Sequence, residues 1–105
     1  MNELIKIYDS SCDVCALLSP LDEQIAEEFG MYFMKVTIGQ CAKNPSTVRD
    51  YVVKHHVDAI SGMVDIPLYL IKNQSGAIET SGVAKTTEEL RNMIEAWKQW
   101  EYSQK

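Results

Sequence analysis

The chain has little of what would tie a small protein to an oxidising compartment, a membrane or a polyanion. Only three of its 105 residues are cysteine, an odd number that suits a disulfide framework poorly. No stretch of 18 apolar residues occurs, so no membrane span is expected. The opening MNELIKIYD runs straight into a strand-like pattern rather than a secretory leader. The expected setting is therefore a reducing cytoplasm, where a close cysteine pair serves catalysis or metal binding more often than structure. Basic residues are outnumbered, 10 Lys and Arg against 15 Asp and Glu, for a net charge of −5. That balance argues against nucleic acid or an anionic membrane as partner. Neither sign forms a block, and there is no repeat, linker or low-complexity tract. Residues 1–105 read as one domain, long enough to fold around its own core.

What is present is a clear succession of periodic segments. ELIKIY (3–8) is a short buried strand with β-branched and aromatic residues. Ser10 or Ser11 then opens a helix in which Leu17, Leu18, Leu21, Ile25, Ala26 and Phe29 recur every three or four residues, ending at Gly30. Pro20 lies inside it and removes one backbone bond. MYFMKVTI (31–38) is a second strand, closed by Gly39. Asn44 caps the next helix, with Pro45 in its first turn and Val48, Tyr51, Val52 and His55 on one face. Residues 57–65 read as the end of that helix and a loop. IPLYLIKNQSGAIETSG is strand, tight turn, strand, pairing 68–72 with 77–81. Thr86 or Thr87 caps a last helix carrying Leu90, Met93, Ile94 and Trp97, with Trp100 toward the surface. The order βαβαββα predicts an α/β fold: a four-stranded mixed sheet flanked by three helices, with the first two strands parallel.

The segment YDSSCDVCALLSP (8–20) sets Cys12 and Cys15 one helical turn apart where the first strand gives way to a helix. Three readings compete: a redox dithiol, half of a zinc site, or two core thiols without chemistry. Helix N-terminal N–H groups and the positive end of the dipole stabilise a thiolate, so Cys12 is expected to be the more acidic and exposed thiol. Cys15, one turn further in, is shielded and placed to attack a mixed disulfide at Cys12. Zinc needs four ligands, and Cys41, His55 and His56, the other candidates, fall at no standard spacing. Cys41 reads as a loop thiol on the same sheet edge, and His55 and His56 as helix-ending residues that complement the dipole. Lys6 is expected to lie partly buried, its amine reaching toward polar groups near Cys15.

The chain also resembles the thioredoxin family, and in more than its two cysteines. CDVCALLSPLDEQIAEEF is similar to that family's active-site helix, with a proline eight residues after the first cysteine and an LDE run behind it. KVTIGQ resembles the end of its next strand and NPST the start of its next helix. DIPLYLIKNQSGAIETSGVAK resembles the stretch with its cis-proline, hairpin and late glycine. The resemblance implies that Cys12 is the nucleophile, Cys15 the resolving thiol, and Ile66–Pro67 a cis peptide facing them. Ser11, Asp13, Val14, Ile66, Pro67 and Gly82 would then contact substrate, Ile66 through its backbone. Four departures stand out. YDSS replaces a tryptophan-containing segment before Cys12. Asp-Val separates the cysteines instead of Gly-Pro. Lys6 occupies the place of the family's buried carboxylate, and the family's first strand and helix are missing. The chain is glutaredoxin-length, yet it lacks Cys-Pro-Tyr-Cys, Thr-Val-Pro and a double glycine.

The expected function is a small monomeric dithiol–disulfide oxidoreductase, working in electron transport and cell redox homeostasis. It would reduce disulfide-containing proteins and be recharged by a thioredoxin-reductase-type or glutathione-type donor, with no metal and no cofactor beyond its own disulfide. The alternatives are a thioredoxin-fold binding or adaptor module, and a glutaredoxin-like glutathione-dependent reductase. Retention of both the dithiol and Ile66–Pro67 favours the enzyme, because an adaptor needs neither.

Overall fold

A computed structural model describes residues 1–58 and 61–104. Its first strand, β1 (Glu3–Tyr8), buries Leu4, Ile5, Lys6 and Ile7 in succession. Side chains alternate across a strand, so a run buried on both faces belongs in the middle of a sheet. β2 (Tyr32–Thr37) pairs with it in parallel, Tyr8 opposite Thr37. On its other side β3 (Leu68–Lys72) runs antiparallel, Ile7 opposite Leu68, and β4 (Ile78–Val83) pairs antiparallel with β3. The sheet order is β2-β1-β3-β4. The β3–β4 turn is built as its NQSG sequence requires: Gly76 takes φ +93°, which favours glycine. The Asn73 side chain accepts from the backbone N–H of Ser75 and Ala77, at 3.0 Å each.

Among the described residues four helices cover the sheet, one more than the sequence suggests. α1 (Asp13–Glu28) and α4 (Thr87–Ser103) pack on one face, where Leu4, Tyr69 and Ile71 meet Ile25, Ala26, Leu90, Ile94 and Trp97. α2 (Ile38–Lys43) and α3 (Thr47–His55) pack on the other, where Ile5, Ile7, Leu68 and Leu70 meet Cys41 and Val52. The unexpected element is α2, and it corrects the reading of Ile38 as strand and Gly39 as terminator. Thr37 and Gln40 form a reciprocal cap: Thr37 Oγ1 accepts from the Gln40 N–H at 3.1 Å, and Gln40 Oε1 accepts from the Thr37 N–H at 2.9 Å. Asn44 consequently closes α2, donating to the Gln40 carbonyl at 3.0 Å. The cap of α3 is Ser46, accepting from the Arg49 N–H, and Pro45 lies outside its first turn.

α1 also departs from expectation at its start and on its face. Its N-cap is Cys12 rather than Ser10 or Ser11, with Sγ accepting from the Cys15 N–H at 3.2 Å. The buried stripe is Cys15, Leu18, Asp22 and Ile25, joined by Ala26. Leu17 and Leu21 are 75% and 41% exposed, because each precedes a stripe residue and is rotated from it by about 100°. The helix is unbroken through Pro20, whose missing N–H lies at an exposed position. Leu18→Ala is expected to cost about 2–5 kcal/mol of stability by opening a core cavity. Leu17→Ala should stay within about 0.5 kcal/mol of wild type. Equilibrium urea denaturation of both variants checks the assignment of this face.

Candidate active site

The end of β1 delivers the chain into a turn organised by one carboxylate. Asp9 Oδ2 accepts from Ser11 Oγ at 3.1 Å, while Oδ1 lies 3.5 Å from Ser10 Oγ and from the Ser11 N–H. The Asp9 carbonyl accepts from the Cys12 N–H at 3.0 Å. A side-chain carboxylate bonding the residues just after it is a standard way to reverse a backbone. Here it seats Cys12 at the α1 N-terminus. Cys12 and Cys15 are joined as a disulfide with Cα atoms 5.2 Å apart. Cys12 is half-buried and Cys15 is buried, 2% exposed. The outer sulfur is therefore the one a large molecule reaches first.

Behind Cys15 lies a buried polar network. Lys6 Nζ donates to the Cys15 carbonyl at 2.8 Å and forms an ion pair with Asp22. Tyr69 Oη donates to the other Asp22 oxygen at 2.7 Å. Lys6 and Asp22 are 2% and 1% exposed, so Lys6 is fully rather than partly buried. Its amine does lie against Cys15, as expected. Burial pushes the Tyr69 hydroxyl far above its ordinary range, and the Asp22 carboxylate adds to the shift, so Tyr69 stays a donor. Losing one partner of a buried pair costs about 3–5 kcal/mol, because the other charge is then uncompensated. The network thus locks the first turns of α1 onto β1 and β3. Lys6 also lines an open cleft of about 200 Å³ bordered by Tyr8, Asp9, Cys12, Cys15, Ser19 and Lys35.

The other residues singled out in the sequence divide between this edge and elsewhere. Ser11 and Asp13 are exposed and Val14 is half-buried, flanking the disulfide at the start of α1. The Ile66–Pro67 bond is cis. Because Ile7 pairs with Leu68, Pro67 sits at the end of the sheet from which the Cys12 turn departs. The Pro67 carbonyl accepts from the Ala84 N–H at 3.3 Å, which fastens this bend to the end of β4. Gly82 pairs with Tyr69, and a Cβ on it would lie 3.2 Å from Met93 Sδ, so its lack of a side chain lets α4 approach. Val57 and Val64 form an isolated antiparallel bridge across the loop before Ile66, and Met63 stands 70% exposed on it. Ile60, an apolar residue the sequence places in that loop, lies outside the described residues.

Cys41 does not join the dithiol. It is buried among the residues of the α2–α3 face, and burial raises its thiol pKa, leaving little reactive thiolate near neutral pH. His56 belongs to a separate polar node: its Nε2 is 2.6 Å from Ser81 Oγ, which is also 3.1 Å from Tyr51 Oη. Among the described residues no group of His, Cys, Asp and Glu side chains is arranged to hold a metal. Sequence reasoning passed over Asp9, Asp22, Tyr69 and Lys35. Asp22 carried a legible signal, since it shares the Cys15–Leu18–Ile25 spacing. Asp9 carried another, as an Asp followed by two serines before a helix. Lys35 and Tyr69 carried none, since only the sheet register brings them to this edge.

No protein-family model matches the chain, and no curated protein does. Solved structures do. Thioredoxin 1 from Thermosipho africanus superposes with a TM-score of 0.63 at 19% identity, over 98% of this chain and 99% of that one. A Fasciola hepatica thioredoxin gives 0.61 at 20% identity, covering 90% and 79% of the two chains. A ferredoxin:thioredoxin reductase–thioredoxin f2 complex gives 0.65 at 16% identity, covering 92% and 77%. The chain has the thioredoxin fold.

The His56 node gives the fold a pH dependence. Desolvation, helped by the neighbouring His55, lowers the pKa of His56 below 6.5. The unfolded chain therefore binds that proton first as pH falls, and stability is lost below about pH 6.5. Thermal melts between about pH 7.5 and about pH 5 should show a falling Tm in wild type. His56→Gln is expected to show a flatter profile.

Proposed function

We propose that this thioredoxin-fold chain is a small dithiol–disulfide oxidoreductase that reduces protein disulfides through Cys12 and Cys15. The observation that carries the reading is the disulfide across the N-cap of α1, with one sulfur accessible and the other buried. In the reduced protein the Cys12 thiolate attacks a substrate disulfide, forming a mixed disulfide and releasing the first substrate thiolate, which takes up a proton. Cys15 then gives up its proton and attacks Cys12 Sγ. The Cys12–Cys15 bond re-forms and the second substrate thiol leaves. Two electrons pass from the protein to the substrate, so an external dithiol or reductase-type donor must restore the reduced state. A glutathione-type donor would serve the same chemistry.

The surroundings of the pair fit that task. The Cys15 N–H, which donates to Cys12 Sγ at 3.2 Å, and the dipole at the start of α1 favour thiolate at Cys12. Asp13 beside it works the other way, although its exposure lets solvent screen the effect. Ser11, Val14, the backbone of Ile66, Pro67 and Gly82 form the proposed substrate surface, with exposed Met63 on the loop that leads into it. An extended segment pairing at Ile66 would bring its disulfide to Cys12 by strand addition. Work in a cytoplasm, as a monomer, completes the reading; among the described residues no helix is long and apolar enough to cross a membrane.

Two measurements test it together. Brief iodoacetamide treatment of the reduced protein, followed by peptide mapping, should label Cys12 well before Cys15. In a dithiol-driven assay of protein disulfide reduction, wild type should turn over and Cys12→Ser should not. Equal turnover by Cys12→Ser, or first labelling at Cys15, would sink the assignment.

A further inference from the structure

Cys15 has a cation at its back. Its carbonyl oxygen is bonded by Lys6 Nζ at 2.8 Å, and Lys6 borders the same cleft as the two cysteines. The Asp22 carboxylate paired with Lys6 is buried and is not among the residues bordering that cleft. The ammonium thus lies against the Cys15 backbone and 5.8 Å from the centre of the Tyr69 ring, while the Tyr69 hydroxyl satisfies the remaining Asp22 oxygen. Other charges nearby are placed less directly. Asp9 is engaged by Ser10 and Ser11, Lys35 lies over the Tyr8 ring at 5.7 Å, and Asp13 is exposed on the outer side of α1.

We propose that Lys6 is the positioning residue of the resolving step, its ammonium stabilising the thiolate of Cys15 as Cys15 turns on the mixed disulfide. This rests on the oxidoreductase reading and adds what makes the buried thiol reactive. A thiol as buried as Cys15 loses hydration when it ionises, which by itself raises its pKa. An opposite charge a few Å from the ionising group offsets that cost, and the bond to the Cys15 carbonyl holds the Lys6 ammonium in that neighbourhood. The cleft supplies the route for the proton, since about 200 Å³ of open space reaches from Cys15 to solvent and a water molecule occupies about 30 Å³. The step is balanced. The Cys15 proton passes to water, its sulfur forms the bond to Cys12 Sγ, and the departing substrate thiolate is protonated. Lys6 neither gains nor loses a proton. A carboxylate at position 6 would act with the opposite sign, disfavouring a second negative charge at Cys15.

The test titrates the thiols and needs no turnover. In the reduced Cys12→Ser protein, the pH dependence of iodoacetamide labelling is followed separately for Cys15 and Cys41 by peptide mass. Cys41 is the internal reference, a buried thiol on which burial outweighs the opposing pull of Arg49. The expected midpoint for Cys15 lies at least about one pH unit below that of Cys41. Adding Lys6→Met should raise the Cys15 midpoint by about one unit or more, a roughly tenfold loss of labelling rate at neutral pH. Lys6→Arg should hold it near the starting value. Where Lys6→Met does not retain the wild-type circular dichroism, Lys6→Gln combined with Asp22→Asn removes both charges while keeping hydrogen-bonding groups, and the same rise is expected. A Cys15 midpoint at or above that of Cys41 overturns the proposal. So does a midpoint that stays or falls when the Lys6 charge is removed. Normal titration in a protein without reductase activity would instead defeat the functional reading alone.

Discussion

Lys6 on β1 and Asp22 on α1 stand 16 residues apart in the chain, and both are buried. A lone ammonium or carboxylate in that position would cost several kcal/mol, so the two charges must meet if the chain is to close. Their meeting fixes how deep α1 sits on the sheet and at what rotation. Tyr69 extends the constraint to β3, because its hydroxyl has its partner only when β1, β3 and α1 are all in register. The disulfide-bearing turn is mounted on this arrangement. Cys12 caps the helix that Asp22 anchors, and Cys15 receives a bond from the lysine that Asp22 holds.

Above that anchor the sheet brings separate parts of the chain to one edge. The C-terminal end of β1 supplies the Asp9 turn and the disulfide, and the N-terminal end of β3 supplies the cis Ile66–Pro67 bend. Antiparallel pairing of β1 with β3 is what makes these ends neighbours. The Pro67–Ala84 hydrogen bond adds the end of β4. Leaving one sulfur half-exposed and burying the other divides the labour of the proposed cycle. Cys12 meets the substrate, and Cys15 waits behind it.

Much of this was legible in the residues. The buried runs of β1 and β3 gave those strands at their observed bounds, and the NQSG turn gave β4 to within two residues. The cysteine pair at a strand–helix junction is observed as a disulfide there, and resemblance alone pointed to the cis bond that is observed. What escaped notice did so for physical reasons. α2 spans six residues, too short for a helical period to show, and its mark was the Thr37–Gln40 cap. Asn44 and Ser46 are both good capping residues, and only the presence of α2 decides that Asn44 closes one helix while Ser46 opens the next. The α1 face misled because leucine at positions 17 and 21 outweighed an aspartate at 22. The stripe is set by what Lys6 needs opposite it, a requirement that no local pattern carries.

The ion pair as organising constraint is tested most directly by a double-mutant cycle. In a Tyr69→Phe background, which leaves no hydroxyl orphaned, Lys6→Met and Asp22→Leu are made singly and together, and stability is measured by urea denaturation. Each single change is expected to cost about 3–5 kcal/mol. The double variant should be more stable than either single one, since two apolar side chains then replace two opposed charges. Losses that simply add would show that Lys6 and Asp22 stabilise the fold independently, and the account of the pair as the fixed point of the disulfide-bearing turn would fail.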